Sequence, residues 1–208
     1  MIPRRRQLLQ TTVGLLATGL LPAAWGALRL PTARQTAGPF YPDPLPAETD
    51  ADLMQRAGLP AAEGEAVALS GQVLEVSGRP LAGARIELWQ CDARGRYHHP
   101  LDAAAGERDG RFQGYGQTVC DEQGRYAFRA LKPVPYPGRT PHIHLQVQTA
   151  EGLRLTTQLY VAGDPQNALD GLFRRLSAEQ ARTVQAEFLA QAEPATPWAA
   201  RFDLVLPR

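Results

Sequence analysis

Lysine is almost absent from this sequence: Lys132 is the only one among 208 residues, so the positive charge is almost all arginine. The formal net charge is +1, and no basic tract or clustered basic face lies beyond the N-terminus. Without such an electrostatic footprint we expect no nucleic-acid partner. The chain also lacks internal repeats and low-complexity tracts. Its length suffices for one domain with a hydrophobic core but not comfortably for two.

Cysteine is scarce as well, with Cys91 and Cys120 the only two. An even number of cysteines permits one disulfide in an oxidising compartment. Cys91 ends a predicted strand and Cys120 begins a predicted turn, so the two could meet. The alternative is a pair of unpaired, partly buried thiols, and the sequence leaves both open.

Long apolar runs are missing except near the N-terminus, where one follows Arg5-Arg6-Gln7-Leu8-Leu9. Ala24 and Gly26 supply the small residues that precede a cleavage site, so residues 1–26 are predicted to be an export signal. The arginine pair resembles a twin-arginine signal, which exports folded proteins; an ordinary secretory signal is the alternative. The apolar run is too short and interrupted for a spanning anchor. We expect a periplasmic or secreted protein with no stable membrane anchor after cleavage, and a single mature domain, 27–208.

Glycine and proline are plentiful, at 19 and 18 residues, and favour strands and turns over a helical bundle. Residues 27–64 are too rich in proline for regular structure and predict an irregular arm, with a short helix at 50–57. Farther along, alternating apolar and polar residues predict a series of strands separated by turns. These strands are 67–73, 84–89, 125–130, 142–149, 153–161 and 201–206.

Two stretches of the second half are predicted to depart from this strand pattern. Residues 98–116 are rich in glycine and charge and predict a long loop. The sequence Ser177-Ala178-Glu179-Gln180 is a capping box and predicts a helix that runs to about Ala192. We therefore expect an all-β fold: a β-sandwich core with an irregular N-terminal arm and a short C-terminal helix.

The strongest chemical signal is the pair of histidines in His142-Ile143-His144. Side chains alternate faces in a strand, so both imidazoles lie on one face while Ile143 and its apolar neighbours form a core face. Two adjacent imidazoles suit a metal ion; the alternative is a pair of hydrogen-bonded histidines without a ligand. A rigid proline-rich loop with Tyr136 directly precedes the pair, which favours the metal site.

The surrounding sequence argues against the usual zinc site and against an iron site with two histidines and one carboxylate. No third histidine and no carboxylate lies close to the pair in the sequence. Tyrosine supplies a hard anionic oxygen once a trivalent cation stabilises its phenolate. Two phenolates and two imidazoles suit iron(III) and leave room for a substrate.

The ordered segments from residue 35 to 165 resemble one family, the intradiol ring-cleavage dioxygenases of the protocatechuate 3,4- and catechol 1,2-dioxygenase type. Each segment is weak alone, but the complete set in the family's order is specific. The segments are Gln35–Tyr41, Gly71–Val73, Gly83–Gln90, Gly95–Tyr97, Lys132–Pro137, Arg139–His144, Thr157–Tyr160 and Gly163–Pro165.

This resemblance implies a set of four iron(III) ligands. Tyr97 and His142 are implied as the equatorial ligands, and Tyr136 and His144 as the axial ones. The implied substrates are a small catechol-type compound and O2, and the implied product is a muconate-type diacid.

The resemblance also implies three catalytic residues. Bound catechol displaces Tyr136, whose phenolate takes up a substrate proton. Arg139 is a fixed cation that stabilises the carbanion-like ring. Gln158 faces away from the core side of its strand and supports substrate and metal-bound groups.

The remaining aromatic and histidine residues are assigned by their positions. Tyr41 on the arm and Tyr160 beside Gln158 are predicted to approach the pocket. His98 and His99 directly follow Tyr97 and are predicted to be loop residues rather than ligands.

The sequence departs from the family pattern at two places. Gly138 stands where well-known members have a tryptophan, and the loop around it is short, so the pocket wall differs. The arm is too short for the helical dimerisation region of catechol-type enzymes, which makes the chain more similar to a protocatechuate-type subunit. A homo-oligomer is compatible with this pattern.

Two other functions compete with the dioxygenase hypothesis. Residues 70–89 also resemble transthyretin-like β-sandwiches, which serve as non-catalytic binding modules or spacers. A zinc hydrolase using His142 and His144 ranks last, because it lacks a clear third ligand and a general base. A visible colour from phenolate-to-iron(III) charge transfer separates the dioxygenase from both.

Overall fold

The computed structural model describes residues 28–103 and 106–207, and the predicted export signal lies outside them. The described chain forms two five-stranded sheets, which confirms the all-β prediction. The strands are β1 (Ala66–Glu75), β2 (Arg85–Trp89), β3 (Tyr115–Val119), β4 (Arg125–Leu131), β5 (His142–Gln148), β6 (Arg154–Val161), β7 (Gln185–Ala186), β8 (Phe188–Ala190), β9 (Trp198–Arg201) and β10 (Leu204–Leu206).

The first sheet is built around β1, which pairs with antiparallel β4 on one side and with parallel β9 and β10 on the other. The second sheet has the order β3-β2-β5-β6-β7. Its register sets Trp89 of β2 beside His144 of β5, and His144 beside Gln158 of β6. Three neighbouring strands therefore present their side chains to one place.

The hydrophobic core follows from the alternation seen in the sequence. Ile143, Leu145 and Val147 of β5 are fully buried, and Val67 and Leu69 of β1 belong to the same cluster. Burying each such side chain stabilises the fold by roughly 1.5–3 kcal/mol. The core side of β5 is thereby fixed, so its histidines must lie on the opposite face.

The N-terminal arm is irregular, as predicted, but the predicted helix at 50–57 is wrong. The side chain of Asp50 accepts a hydrogen bond from the amide of Asp52, and that of Asp52 accepts one from the amide of Met54. Such local side-chain bonds compete with helical ones and favour turns. Leu53 and Met54 are buried and fix this part of the arm on the core.

The capping box at Ser177 and Gln180 is present, yet the helix α1 spans only Ala178–Arg182. The prediction that it continues to Ala192 is wrong. Val184 is completely buried, and the chain then pairs with β6 as β7 and with β9 as β8. Pairing with two existing strands therefore overrides the helical propensity of this segment.

Two strand predictions also need correction. The stretch 98–116 is mostly loop, but β3 begins within it at Tyr115. The single strand predicted at 201–206 is divided into β9 and β10, because Phe202 and Asp203 interrupt the pairing. Phe202 N donates to Ser70 O at this break.

Cys91 and Cys120 are both buried free thiols. They belong to different packing clusters, Cys91 with Trp89 and Tyr97, and Cys120 with the main core. Of the two alternatives left open by the sequence, the structure shows the unpaired thiols. Within 28–103 and 106–207, no helix has the length and apolar character needed to cross a membrane.

Candidate metal centre and active site

His142 and His144 lie on the face of β5 opposite the core and are 1% and 2% exposed. Their Nε2 atoms are 3.2 Å apart. Nδ1 of His142 is 2.7 Å from the carbonyl oxygen of Thr140. A carbonyl oxygen only accepts, so Nδ1 carries the proton and Nε2 keeps its lone pair. The two rings therefore converge through nitrogen atoms suited to ligating a metal.

The histidine environment keeps both rings neutral. Burial, assisted by the charge of Arg139, lowers the pKa of His142 to about 4. Burial and the neighbouring His142 and Arg139 lower the pKa of His144 well below its usual value. Neutral imidazole is the form that binds metal ions, so the pair is ready to ligate at neutral pH.

Tyr97 and Tyr136 complete a cluster of four rings. The ring centroid of Tyr136 lies 5.5 Å from that of His142, and the ring of Tyr97 lies 6.2 Å from His144. The two tyrosine rings are 5.4 Å apart. The four residues predicted as metal ligands are therefore brought together, although they come from two loops and one strand.

The hydroxyl of Tyr97 is buried and, among the described residues, has no hydrogen-bond partner. A buried polar group without a partner is costly, which points to a missing ligand. With protein groups alone, burial raises the pKa of Tyr97 well above its usual value. Burial also raises the pKa of Tyr136, against a lowering effect of Arg139. A trivalent cation bound to the oxygens reverses this preference and stabilises the phenolates, so the residues present fit iron(III).

The loop that carries Tyr97 is anchored by one buried carboxylate. Oδ2 of Asp102 accepts hydrogen bonds from the amide of Tyr97 at 2.7 Å and from Nε of Arg96 at 3.1 Å. Arg96 and Asp102 are themselves nearly inaccessible. The loop that carries Tyr97 is therefore fixed in position, as a metal ligand requires.

Tyr136 is carried by a tight turn. The amide of Arg139 donates to the carbonyl oxygen of Tyr136 at 2.9 Å, and Gly138 within the turn has a φ of 80°. Glycine adopts this left-handed backbone without steric cost. The turn brings the guanidinium of Arg139 beside the phenol that precedes it.

Arg139 is bound by three side chains at once. Nη1 lies 3.3 Å from Oη of Tyr136, Nη2 donates to Oε1 of Gln158 at 2.5 Å, and Nε donates to Oδ2 of Asp170 at 2.7 Å. Gln158 is completely buried, and its Nε2 donates to the carbonyl oxygen of Thr36 on the arm. All three predicted catalytic residues thus meet at one edge of the ring cluster.

Two residues of this site were missed by sequence reasoning. Asp170 is completely buried beside Arg139, and its only signal is an acidic residue between apolar neighbours. Phe40 stacks on Tyr97 with a centroid distance of 4.6 Å and lies edge-on to Tyr136 at 6.2 Å. Phe40 belongs to the arm segment that resembles the family, but the sequence pattern did not predict its contacts with Tyr97 and Tyr136.

The packing around His144 comes from the arm and from β2. The indole of Trp89 stacks on its imidazole at 5.0 Å and 8°. Gly38 lies on another side, where a Cβ atom would stand 3.5 Å from Cε1 of His144. These contacts limit the access of water to the ring cluster.

The other predicted pocket residues are only partly confirmed. Tyr160 donates from its hydroxyl to Oε1 of Gln158 at 3.0 Å, as expected for a residue beside the site. Tyr41 does not reach the ring cluster, since it packs edge-on to Trp89 and donates to Glu87.

His98 and His99 lie in the loop after Tyr97, and neither contributes a nitrogen to the ring cluster. Nδ1 of His99 accepts from the amide of Leu101, and Nε2 of His98 lies 3.8 Å from Asp92. The prediction that they are loop residues agrees with these contacts.

A cavity of about 220 Å³ opens beside the arginine network. Tyr136, Arg139 and Asp170 line its inner side, and Gly138 and Leu169 line its rim.

Comparisons with known proteins agree with this architecture. A family model described as "Dioxygenase" matches residues 36–208. The chain is 36% identical over 152 residues to the protocatechuate 3,4-dioxygenase beta chain of Burkholderia cepacia, covering 69% of this chain and 65% of the relative. It is 37% identical over 149 residues to hydroxyquinol 1,2-dioxygenase of Rhodococcus opacus, covering 62% and 46%.

Solved structures show the same fold. The dioxygenase domain of a dioxygenase carbohydrate-binding protein fusion from Streptomyces sp. SirexAA-E has a TM-score of 0.62 at 27% identity, covering 85% of this chain and 98% of that chain. An intradiol ring-cleavage dioxygenase from Tetranychus urticae has a TM-score of 0.68 at 19% identity, covering 86% and 95%.

The chain therefore belongs to the intradiol ring-cleavage dioxygenase family. It spans about half to two thirds of the length of the curated relatives it matches.

Proposed function

We propose that this protein is an iron(III)-dependent dioxygenase that cleaves a catechol-type ring between its two hydroxylated carbons. Both atoms of O2 enter the product, a muconate-type diacid. The observation that carries the proposal is the convergence of two phenols, the buried one of Tyr97 and the half-buried one of Tyr136, with two neutral imidazoles beside a fixed guanidinium. Membership of the family supports it, since the relatives are named as dioxygenases of protocatechuate, hydroxyquinol and catechol.

Four side chains would hold the iron: Tyr97, Tyr136, His142 and His144. When bound, iron(III) supplies a Lewis acid that holds both catechol oxygens and makes the ring reactive toward O2. Tyr97 and the two histidines are buried and fixed by their neighbours, so they would serve as permanent ligands. Tyr136 is the more exposed phenol and is carried by a short turn, which suits a ligand that is released.

Tyr136 then acts as a base. Once its oxygen is released, Oη accepts a hydroxyl proton of the catechol. Nη1 of Arg139 is already 3.3 Å from this oxygen and stabilises the phenolate until the proton arrives. The substrate reaches the site as a neutral catechol, and Tyr136 takes up one of its two hydroxyl protons.

Arg139 places a permanent positive charge next to the reacting ring. Negative charge that develops on the ring carbons is stabilised by this fixed cation more strongly than by mobile water. Oε1 of Gln158 accepts a hydrogen bond from the guanidinium, and its Nε2 donates one to the carbonyl oxygen of Thr36 on the arm. Phe40 and Trp89 keep water from the ligands, which strengthens all these electrostatic contacts.

We also propose that the protein is exported, in line with the signal predicted at residues 1–26. The non-catalytic binding module is not favoured, because such a module needs neither the converging ligands nor a buried arginine network.

The first experiment is a visible absorption spectrum of the purified protein, repeated without oxygen after catechol is added. The proposal predicts a reddish phenolate-to-iron(III) band that shifts when catechol binds. Tyr97→Phe and Tyr136→Phe should each change the band. A protein that stays colourless after reconstitution with iron contradicts the proposal and leaves the binding module as the better account.

A further inference from the structure

We propose that Asp170 is a positioning residue that holds Arg139 in its reactive orientation while Tyr136 is away from its resting place. This inference rests on the proposed dioxygenase function and adds to it a residue outside the ligand set and outside the predicted catalytic residues. Asp170 lies between two short 3-10 helices, Pro165–Ala168 and Phe173–Arg175.

All contacts of the Asp170 carboxylate are internal. Oδ2 accepts from Nε of Arg139 at 2.7 Å and from the amide of Thr140 at 3.1 Å. Oδ1 accepts from the amides of Leu172 and Phe173 at 2.8 and 2.9 Å. Its side chain is 0% exposed, whereas that of Arg139 is 15% exposed toward the cavity. One oxygen thus fixes the carboxylate on its own segment, and the other holds the arginine.

The three anchors of Arg139 differ in kind. Tyr136 is the one that leaves during the proposed reaction, and Gln158 is a neutral amide. Asp170 is the one that carries a charge, so its bond to the guanidinium is an ion pair as well as a hydrogen bond, whereas Gln158 offers a neutral acceptor. When Tyr136 departs, Asp170 and Gln158 still hold the guanidinium at Nε and Nη2. Because two separate donors of the planar group are held by two different side chains, its rotation is fixed as well as its place.

The substitution Asp170→Asn tests this role while keeping the size of the side chain. An amide has one accepting oxygen and one donating nitrogen. Whichever way it is turned, a donor faces either Nε of Arg139 or the amides of Leu172 and Phe173. We expect kcat to fall by about tenfold or more, because a displaced cation no longer meets the charge of the transition state. KM should change less than about threefold, because Arg139 does not bind the ground-state catechol oxygens.

Asp164→Asn is the matched control. Asp164 lies in the same segment, and its Oδ1 accepts from the amide of Gln166 at 2.8 Å, but it has no role at the ring cluster. The same chemical change there should leave kcat within about twofold of the wild type. A double-mutant cycle adds a second test: in an Arg139→Met background, Asp170→Asn should have no further effect on kcat. Additive losses, or equal losses in the two asparagine variants, contradict the proposal.

A readout that does not depend on turnover comes from nuclear magnetic resonance of the full chain loaded with diamagnetic gallium(III). The Nε–H signal of Arg139, assigned by its loss in Arg139→Lys, should exchange slowly with water in the wild type and in Asp164→Asn. In Asp170→Asn it should exchange at least about tenfold faster, since its charged acceptor is gone. Unchanged exchange overturns the inference. A wild type that forms no ring-cleaved product instead contradicts the proposed function, and the exchange measurement still decides whether Asp170 holds Arg139.

Discussion

At the scale of single residues, the hydrogen bonding of a buried tyrosine hydroxyl distinguishes a structural role from a metal-ligating one, and Tyr97 is the informative case. Most buried polar groups in folded proteins have a hydrogen-bond partner, because burial without one costs free energy. Among the described residues Tyr97 Oη has none, whereas the buried Tyr126 Oη donates to Phe202 O at 2.6 Å. The hydroxyl of Tyr126 therefore has a structural role, whereas that of Tyr97 fits a metal ligand.

We expect Tyr97→Phe to leave the free energy of unfolding of the metal-free protein unchanged, or to raise it by about 1 kcal/mol, because an unsatisfied hydroxyl is removed. Activity should fall by at least about a hundredfold, since a ligand is lost. Tyr126→Phe should do the reverse, costing about 1 kcal/mol and keeping activity. Urea unfolding and O2 uptake with catechol measure both effects. A clear loss of stability in Tyr97→Phe would show that its hydroxyl has a structural partner.

The loop after Tyr97 depends on carboxylates, and Asp109 gives it a defined response to acid. Burial alone raises the pKa of Asp109, but hydrogen bonds from the Arg111 side chain and from the amides of Glu63 and Arg111 lower it to about 2. In the unfolded chain an aspartate titrates near pH ~3.9. The unfolded state therefore takes up a proton first, and the stability from Asp109 is present above about pH 4 and lost between about pH 4 and 2.

Asp109→Asn should therefore destabilise the protein near neutral pH and flatten the fall of its stability between about pH 4 and 2. Urea unfolding of both proteins across this range provides the measurement. Parallel curves for the variant and the wild type would show that Asp109 is not the group that titrates in this window.

At the scale of elements, the strands that carry the site were predictable, and several connections were not. The apolar residues of β5 alternate so regularly that the face of His142 and His144 followed from the sequence alone. The helix expected to reach Ala192 failed because Val184 is drawn into the core and the chain beyond it finds strand partners. Such pairing is a tertiary effect that local propensity does not contain.

The same contrast holds within the site. Tyr97, Tyr136, Arg139 and Gln158 were located by a resemblance of ordered segments, and the structure brings them together with the histidine pair. Asp170 and Phe40 were not located in this way, because their roles depend on tertiary contacts with residues far away in the sequence. Phe40 reaches Tyr97 only after the arm has packed against the second sheet, a contact between residues far apart in the sequence.

The arm makes a testable contribution through Phe40. Its ring covers Tyr97 and touches Tyr136, so we expect Phe40→Ala to let water and chelators reach the ligands. An aromatic contact of about 1 kcal/mol corresponds to iron release roughly fivefold faster or more. The rate of bleaching of the visible band by a chelator measures this release. Leu45→Ala, which shortens an exposed apolar side chain of the same arm, is the control and should leave the rate unchanged. Equal rates in wild type and Phe40→Ala would show that the arm does not protect the centre.

At the scale of the whole molecule, each part of the site depends on a different part of the chain. The arm holds Gln158 through Thr36, the second sheet supplies the histidines, and the segment between β6 and α1 holds Arg139 through Asp170. The ring cluster is therefore complete only when the whole domain has folded. A metal centre assembled in this way favours loading with iron after folding.

This dependence bears on the predicted route of export. The twin-arginine route carries folded proteins, so it would deliver a domain whose iron is already bound. We expect Arg5→Lys combined with Arg6→Lys to keep the precursor in the cytoplasm of a bacterial host, whereas Arg4→Lys should leave export unchanged. Cell fractionation measures the distribution, and the mass of the exported protein should correspond to cleavage after Gly26. Undiminished export of the double variant would instead indicate the general secretory route, with an unfolded chain that binds iron only after it has crossed the membrane.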